Sequence, residues 1–200
     1  MTKTTEITSK LWEMANKLRG TMDASEYKNY ILPFMFYRYL SEHQDDYLRK
    51  NGLEDFYQNP KDIEEYYEDI AKSLGYVIEP QFTWAAIVDS IENHKIKASD
   101  FQDMFEAFHK HAKRNTDSEQ EFANVFFDVN LGDTRLGSGT NERAKALNDI
   151  VLMINEFDFK DESGHDILGD VYEYLIGQFA ANAGKKGGEF YTPPEVSQIL

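Results

Sequence analysis

Gly187-Gly-Glu-Phe-Tyr-Thr-Pro-Pro-Glu-Val-Ser-Gln-Ile-Leu200 is the stretch on which the reading of this chain turns. Thr192 suits an N-cap, Pro193 falls on the favoured first helical position, and Glu195 stands at the third. Together they form a Thr-x-x-Glu capping box with proline at N1, which predicts a helix starting there. Ahead of it, Gly184, Gly187 and Gly188 allow close backbone approach, and Lys185 and Lys186 make the loop locally basic. A helix N-terminus presents unpaired N–H groups and the positive end of the dipole, so it favours a carboxylate or phosphate. Phe190 and Tyr191 add flat apolar faces beside that end. Two readings fit these residues: a small-molecule site, or a well-capped helix after a flexible loop.

Outward from this segment the chain reads as mostly helical. Residues 167–184 place Ile167, Leu168, Val171, Tyr174, Leu175 and Phe179 on one face of a helix. The polar, turn-rich run from Asp158 to Asp166 marks a domain boundary. Upstream, residues 141–157 read as helix, residues 125–140 as loop, and Ser118 with Glu121 as a capping box. Residues 98–115 form an amphipathic helix with Phe101, Met104, Phe105 and Phe108 on one face. Trp84 to Ile91 and Lys61 to Ser73 are two further helices, and Tyr76-Val77-Ile78 is a short strand or an extended stretch. A long helix begins at Asp23, which caps with Glu26, and ends at Asn51-Gly52; Pro33 should kink it or mark a first turn. The first helix runs from Ser9 to Arg19, with Gly20 as its stop.

Composition bounds the function. The chain has 200 residues, 41% of them hydrophobic, which excludes a disordered chain. With no cysteine, disulfides and thiolate metal sites are excluded. No apolar run approaches the length of a membrane span, and the N-terminus lacks the layout of a secretory signal. A cytoplasmic protein with no membrane association is expected. The formal net charge of −15 argues against a chain that wraps a phosphate backbone unaided. Lys110 to Arg114 and Arg135 to Lys145 are the local basic clusters that could still touch one.

Several motifs are weighed and set aside. His109 and His111 stand at i and i+2, which points them apart on a helix, so surface histidines are expected rather than metal ligands. Gly137-Ser-Gly139 lacks the third glycine and the preceding strand of a dinucleotide fingerprint. Gly184-Lys-Lys-Gly-Gly188 contains no Gly-Lys-Ser/Thr and is not a P-loop. Adjacent carboxylates such as Glu64-Glu65 and Asp45-Asp46 read as solvated helix faces.

The closing segment resembles the Gly-x-Phe/Tyr-Phe/Tyr-Thr-Pro element of DNA adenine N6-methyltransferases, and more narrowly the modification subunit of type I restriction–modification systems. Residues 166–193 are similar to that subunit's approach helix and loop. Residues 11–42 and 125–137 are similar to its N-terminal helical region. The resemblance implies a mainly α fold: a helical, bundle-like domain over residues 1–160, then residues 161–200 as the truncated start of a Rossmann-like α/β methyltransferase domain. It further implies that Glu189, Phe190, Tyr191, Thr192, Pro193 and Pro194 line a pocket for S-adenosylmethionine.

The Asn/Asp-Pro-Pro-Phe/Tyr motif that positions the target adenine in this family is absent, since Asn59-Pro60 is followed by Lys61. The chain is therefore expected to be an N-terminal part cut inside the first methyltransferase helix, with no catalytic residue of its own and no activity. The partners implied are DNA, a specificity subunit, a second modification subunit and a restriction subunit. The alternative is a non-catalytic helical module that docks other subunits of an assembly.

Overall fold

The computed structural model describes residues 3–18, 24–57, 63–114, 122, 125–160, 167–171 and 174–175. Six helices dominate: α1 (Lys3–Leu18), α2 (Ala24–Lys50), α3 (Ile63–Leu74), α4 (Trp84–Glu92), α5 (Ala98–Ala112) and α6 (Thr140–Asn155). Two 3-10 turns, Glu54–Tyr57 and Pro80–Phe82, join them. Among the described residues extended pairing is limited to a single bridge residue, Lys160, so the mainly α expectation holds. The chain divides into two compact units, residues 1–35 with 149–200, and residues 36–148. Both α2 and α6 contribute residues to each unit.

In the first unit, α1 starts six residues earlier than the apolar spacing from Ser9 suggests. Thr4, Thr5 and Thr8 are poor helix formers, yet the Thr8 hydroxyl donates back to the Thr4 and Thr5 carbonyls. Ile7 and Leu11, one turn apart, are both buried and extend the stripe toward the N-terminus. Lys3 Nζ ties this end down, 3.0 Å from Asp158 Oδ2 and bonded to the Lys160 carbonyl. From α2, Tyr27, Tyr30, Ile31 and Phe34 recur at helical spacing and are all buried. Pro33 lies inside α2 rather than in a first turn, and the helix runs on through it to Lys50.

The second unit is organised by rings. Tyr37 of α2 meets Phe105, Phe108 and Phe126 at 5.6 to 6.2 Å between centroids. Phe105 stacks on Phe126 at 4.7 Å, and Phe108 meets Tyr76 at 5.7 Å. Each such ring stabilises by roughly 1.5 to 3 kcal/mol through burial alone, with a further contribution from edge-to-face geometry. The stretch from Tyr76 to Ile78 forms neither helix nor strand. Among the described residues it joins no sheet, and α2 bonds to it instead. Gln44 Nε2 donates to the Ile78 carbonyl at 2.8 Å, and Gln44 Oε1 accepts from the Ile78 N–H at 2.7 Å. The Tyr76 hydroxyl donates to the Leu40 carbonyl at 2.9 Å.

Asn51-Gly52 does end α2. Gly52 takes φ 67°, Leu53 N–H bonds the Leu48 carbonyl at 2.9 Å and Gly52 N–H the Arg49 carbonyl at 3.3 Å. That is a Schellman closure, which needs the left-handed conformation glycine adopts freely. It turns the chain into a smaller cluster of Leu48, Phe56, Tyr67, Ile70, Ala71 and Val77. Through Tyr67 this cluster carries α3 against α5.

Candidate functional site

Glu189, Phe190, Tyr191, Thr192, Pro193 and Pro194 all lie outside the described residues, as does the Ser118–Glu121 capping box. The approach to that segment is described in part. Ile167, Leu168, Val171 and Leu175 are buried, matching the apolar face read from the sequence, while Tyr174 is 41% exposed. Ile167 N–H bonds the Phe159 carbonyl at 2.8 Å.

The loop over residues 125–139 is built from its own polar groups. Asn130 Oδ1 accepts from the Gly132 N–H, and Asp133 Oδ1 from the Arg135 N–H. These are Asx-type turns that hold the backbone without secondary structure. Phe126 and Leu136 anchor the loop from below, and between its bends Phe127 stands 77% exposed.

The loop ends at the start of α6, where the glycines of Gly137-Ser-Gly139 find their explanation. Glu142 reaches back, and its Oε2 accepts from the Ser138 N–H at 2.8 Å, the Ser138 hydroxyl at 2.6 Å and the Gly139 N–H at 3.3 Å. Those bonds, the hydroxyl first, hold the Glu142 carboxyl below its ordinary pKa. A Cβ on Gly137 would sit 2.5 Å from the Glu142 Cβ and 2.8 Å from the Arg143 nitrogen. The donors that an outside phosphate would need are thus taken by the chain's own carboxylate. This glycine pair serves a cap, not a nucleotide.

The arginines of the two basic clusters are engaged within the molecule. Arg135 forms a two-point pair with Asp133, Nη2 to Oδ2 at 2.6 Å and Nε to Oδ1 at 3.0 Å. Arg143 Nη1 donates to the Gly137 carbonyl at 3.1 Å. Arg114 Nη2 lies 2.7 Å from Glu64 Oε2. A guanidinium held this way offers less to a phosphate backbone than its sequence position suggests.

His111 departs most from expectation, because it is not a surface histidine. His111 has no exposed side-chain area. Its Nε2 lies 2.7 Å from Glu79 Oε1, and its Nδ1 accepts from Arg114 Nε at 2.9 Å. The Tyr67 ring lies 4.5 Å from the imidazole, and the Arg114 guanidinium lies over the same ring at 5.7 Å. Burial first, then the Arg114 and Lys110 charges, lower the His111 pKa against the opposing pull of Glu79. Nearby, burial and the Glu79 and Glu64 charges push the Tyr67 hydroxyl up to about 12. His109 is half-buried, and its Nε2 is enclosed without a hydrogen-bond partner among the described residues. The signal was present in the sequence: His111 continues the stripe of Phe101, Met104, Phe105 and Phe108 by one more turn. No group of three or more metal-ligating side chains is assembled among the described residues.

A family model described as the HsdM N-terminal domain matches residues 7–154. The chain belongs to that family. A second model, described as N-6 DNA Methylase, matches residues 163–200 directly after this HsdM N-terminal domain. Among relatives, the type I restriction enzyme MpnII methylase subunit of Mycoplasma pneumoniae is 34% identical over 208 residues, covering 97% of this chain and 38% of that protein. The MjaIX methylase subunit of Methanocaldococcus jannaschii is 26% identical over 215 residues, covering 98% of this chain and 35% of its own length. A crystal structure of the type I restriction–modification methyltransferase subunit from Streptococcus thermophilus superposes with a TM-score of 0.79 at 29% identity. It is matched over 98% of this chain and 43% of that one. The chain therefore spans under half the length of the relatives it matches. No helix among the described residues is long and apolar enough to cross a membrane.

Proposed function

We propose that this chain supplies the N-terminal part of a type I restriction–modification methylation subunit, which transfers a methyl group to adenine N6 in DNA. The observation that carries the reading is the tandem order of the two family matches, residues 7–154 and then 163–200. In this reading residues 1–160 serve subunit assembly and DNA clamping, and residues 161–200 open the methyltransferase domain. The partners are DNA, a specificity subunit, a second modification subunit and a restriction subunit, in the cytoplasm.

The methyl donor is S-adenosylmethionine, whose sulfonium carries the transferable methyl group. Residues 189–194 line its pocket. The positive end of a helix opening at Thr192, together with the backbone N–H groups of the glycine-rich loop before it, suits the carboxylate of its methionine part. Phe190 or Tyr191 suits its cationic sulfonium. Calorimetry of the longer gene product with S-adenosylmethionine tests this assignment. Binding should weaken at least tenfold in a Phe190→Ala/Thr192→Ala variant, and equal binding in both proteins would remove these residues from the site.

One observation favours a purely docking role for residues 36–148. Phe127 is a large exposed ring on a loop otherwise fixed by its own hydrogen bonds. Such a pre-ordered aromatic costs little entropy to dock. If that unit only docks, Phe127→Ala weakens co-purification with the specificity subunit and leaves cofactor binding unchanged.

A further inference from the structure

We propose that His111 is an acid-sensitive latch: neutral, it closes a hydrogen-bonded chain from α3 through the end of α5 to Glu79, and protonation opens that chain at Arg114. The chain runs from Glu64 on α3 to Arg114 at 2.7 Å, from Arg114 to His111 Nδ1 at 2.9 Å, and from His111 Nε2 to Glu79 at 2.7 Å. Arg114 can only donate, so Nδ1 must carry a lone pair. Glu79 is an acceptor when ionised, so Nε2 must carry the hydrogen. One neutral tautomer meets both demands, and the neighbours at each end select it.

A solvent proton added at Nδ1 converts that atom from acceptor to donor. It then faces the Arg114 Nε–H donor, and an imidazolium faces a guanidinium. The Glu79 bond survives and gains charge, so the failure falls at Arg114, and with it at the Glu64 contact that ties α3 to the end of α5.

The groups surrounding the ring come from every packed element. From α3 come Tyr67, whose ring lies 4.5 Å away, and Glu64 acting through Arg114. From α5 and its end come Lys110 and Arg114, and from the segment before Pro80 comes Glu79. From α2 comes Tyr37, whose hydroxyl donates to the Phe82 carbonyl and whose pKa is raised by burial and then by the Glu79 charge. Burial, Arg114 and Lys110 oppose protonation of His111 and outweigh Glu79, so its pKa lies below the ordinary 6.5. Between pH 6.5 and that lower folded value the unfolded chain takes up a proton that the folded chain refuses. Stability from this group is therefore intact above pH 6.5 and lost as pH falls through that window.

Two measurements on the intact chain test the latch. Histidine ring carbons followed by NMR should give a His111 midpoint below 6.5, rising in Arg114→Met and falling further in Glu79→Gln. Amide-exchange protection factors over Phe108 to Ala112 should drop more between pH 7.5 and 5.5 in the parent than in His111→Gln. A midpoint at or above 6.5 would overturn the proposal, as would a midpoint unmoved by Arg114→Met. Equal pH dependence of protection in parent and His111→Gln would do the same. Should His111→Gln fail to fold, the parent and Arg114→Met midpoints still decide.

Discussion

Two polar arrangements within residues 36–148 are each closed by a carboxylate, yet they differ in depth and in sequence span. At the start of α6, Glu142 gathers three donors from Ser138 and Gly139, all within four residues and all exposed. Between α3 and α5, Glu64, Glu79, His111 and Arg114 come together from positions up to 50 residues apart, around an imidazole with no exposure. Water can replace any lost bond in the first arrangement and the Arg114–Glu64 contact of the second, but not the bonds at the buried imidazole. The exposed cap specifies where a helix begins; the buried chain specifies which helices pack. Their sensitivity to substitution should therefore differ in kind as well as size.

The largest effect expected comes from the aromatic packing of the same unit. Phe108 is buried and touches Tyr37, Tyr76 and Phe126, so Phe108→Ala should cost about 3 to 5 kcal/mol through lost burial and a residual cavity. Urea unfolding followed by Trp84 fluorescence in a Trp12→Phe background reads this unit alone, because Trp84 is its buried tryptophan. A loss under 1 kcal/mol would show that the unit does not rest on this packing.

Next is Glu79→Ala, which leaves the buried His111 Nε2–H with no acceptor. About 2 to 3 kcal/mol should be lost at pH 7.5, where His111 is neutral. An effect no larger than that of an exposed carboxylate would erase the contrast between the two arrangements.

The same contrast explains what the sequence disclosed. Helices were legible because their signals are local: the α5 stripe, the Asn51-Gly52 stop and the apolar face from Ile167 to Leu175 all lie within a few turns. The start of α1 was placed too late because three threonines hide a helix that Ile7 and Leu11 sustain only by burial in the folded chain. Gln44 gave no hint that it would substitute for a strand partner of Ile78, since that pairing spans 34 residues. The His111 chain was missed for the same reason, although its place on the apolar stripe was readable. The closing segment was legible as a motif, and its residues 189–194 lie outside those the structure describes.

Gly137 probes the exposed arrangement by steric means. Adding one methyl group there meets the Glu142 Cβ at 2.5 Å and backbone at 2.8 Å, so the loop and the first turn of α6 must move apart. Gly137→Ala should cost about 1 to 2 kcal/mol, at the lower end of overpacking penalties because the site faces solvent and can relax. The same urea titration measures it. A neutral result would mean that the loop is not held as tightly as its hydrogen bonds indicate.

Glu142→Gln should have the smallest effect, seen more clearly in pH dependence than in stability at neutral pH. The amide can still accept from Ser138 and Gly139, so the cap survives in weakened form. Removed is the ionisable carboxyl that the hydrogen bonds from Ser138 and Gly139, the hydroxyl first, hold below its ordinary 4.5. A depressed carboxyl stabilises the fold fully above its unfolded pKa and loses that contribution as pH falls through the folded one. The parent should therefore lose stability more steeply than Glu142→Gln below about pH 4.5, with the two curves converging at the acid end. Thermal melts between pH 6 and pH 3, followed by circular dichroism, compare them. Parallel curves would mean that the hydroxyl and amide donors of residues 138 and 139 do not hold this carboxylate in solution. The contrast with His111, whose contribution is lost in a window starting at pH 6.5, would then rest on the buried arrangement alone.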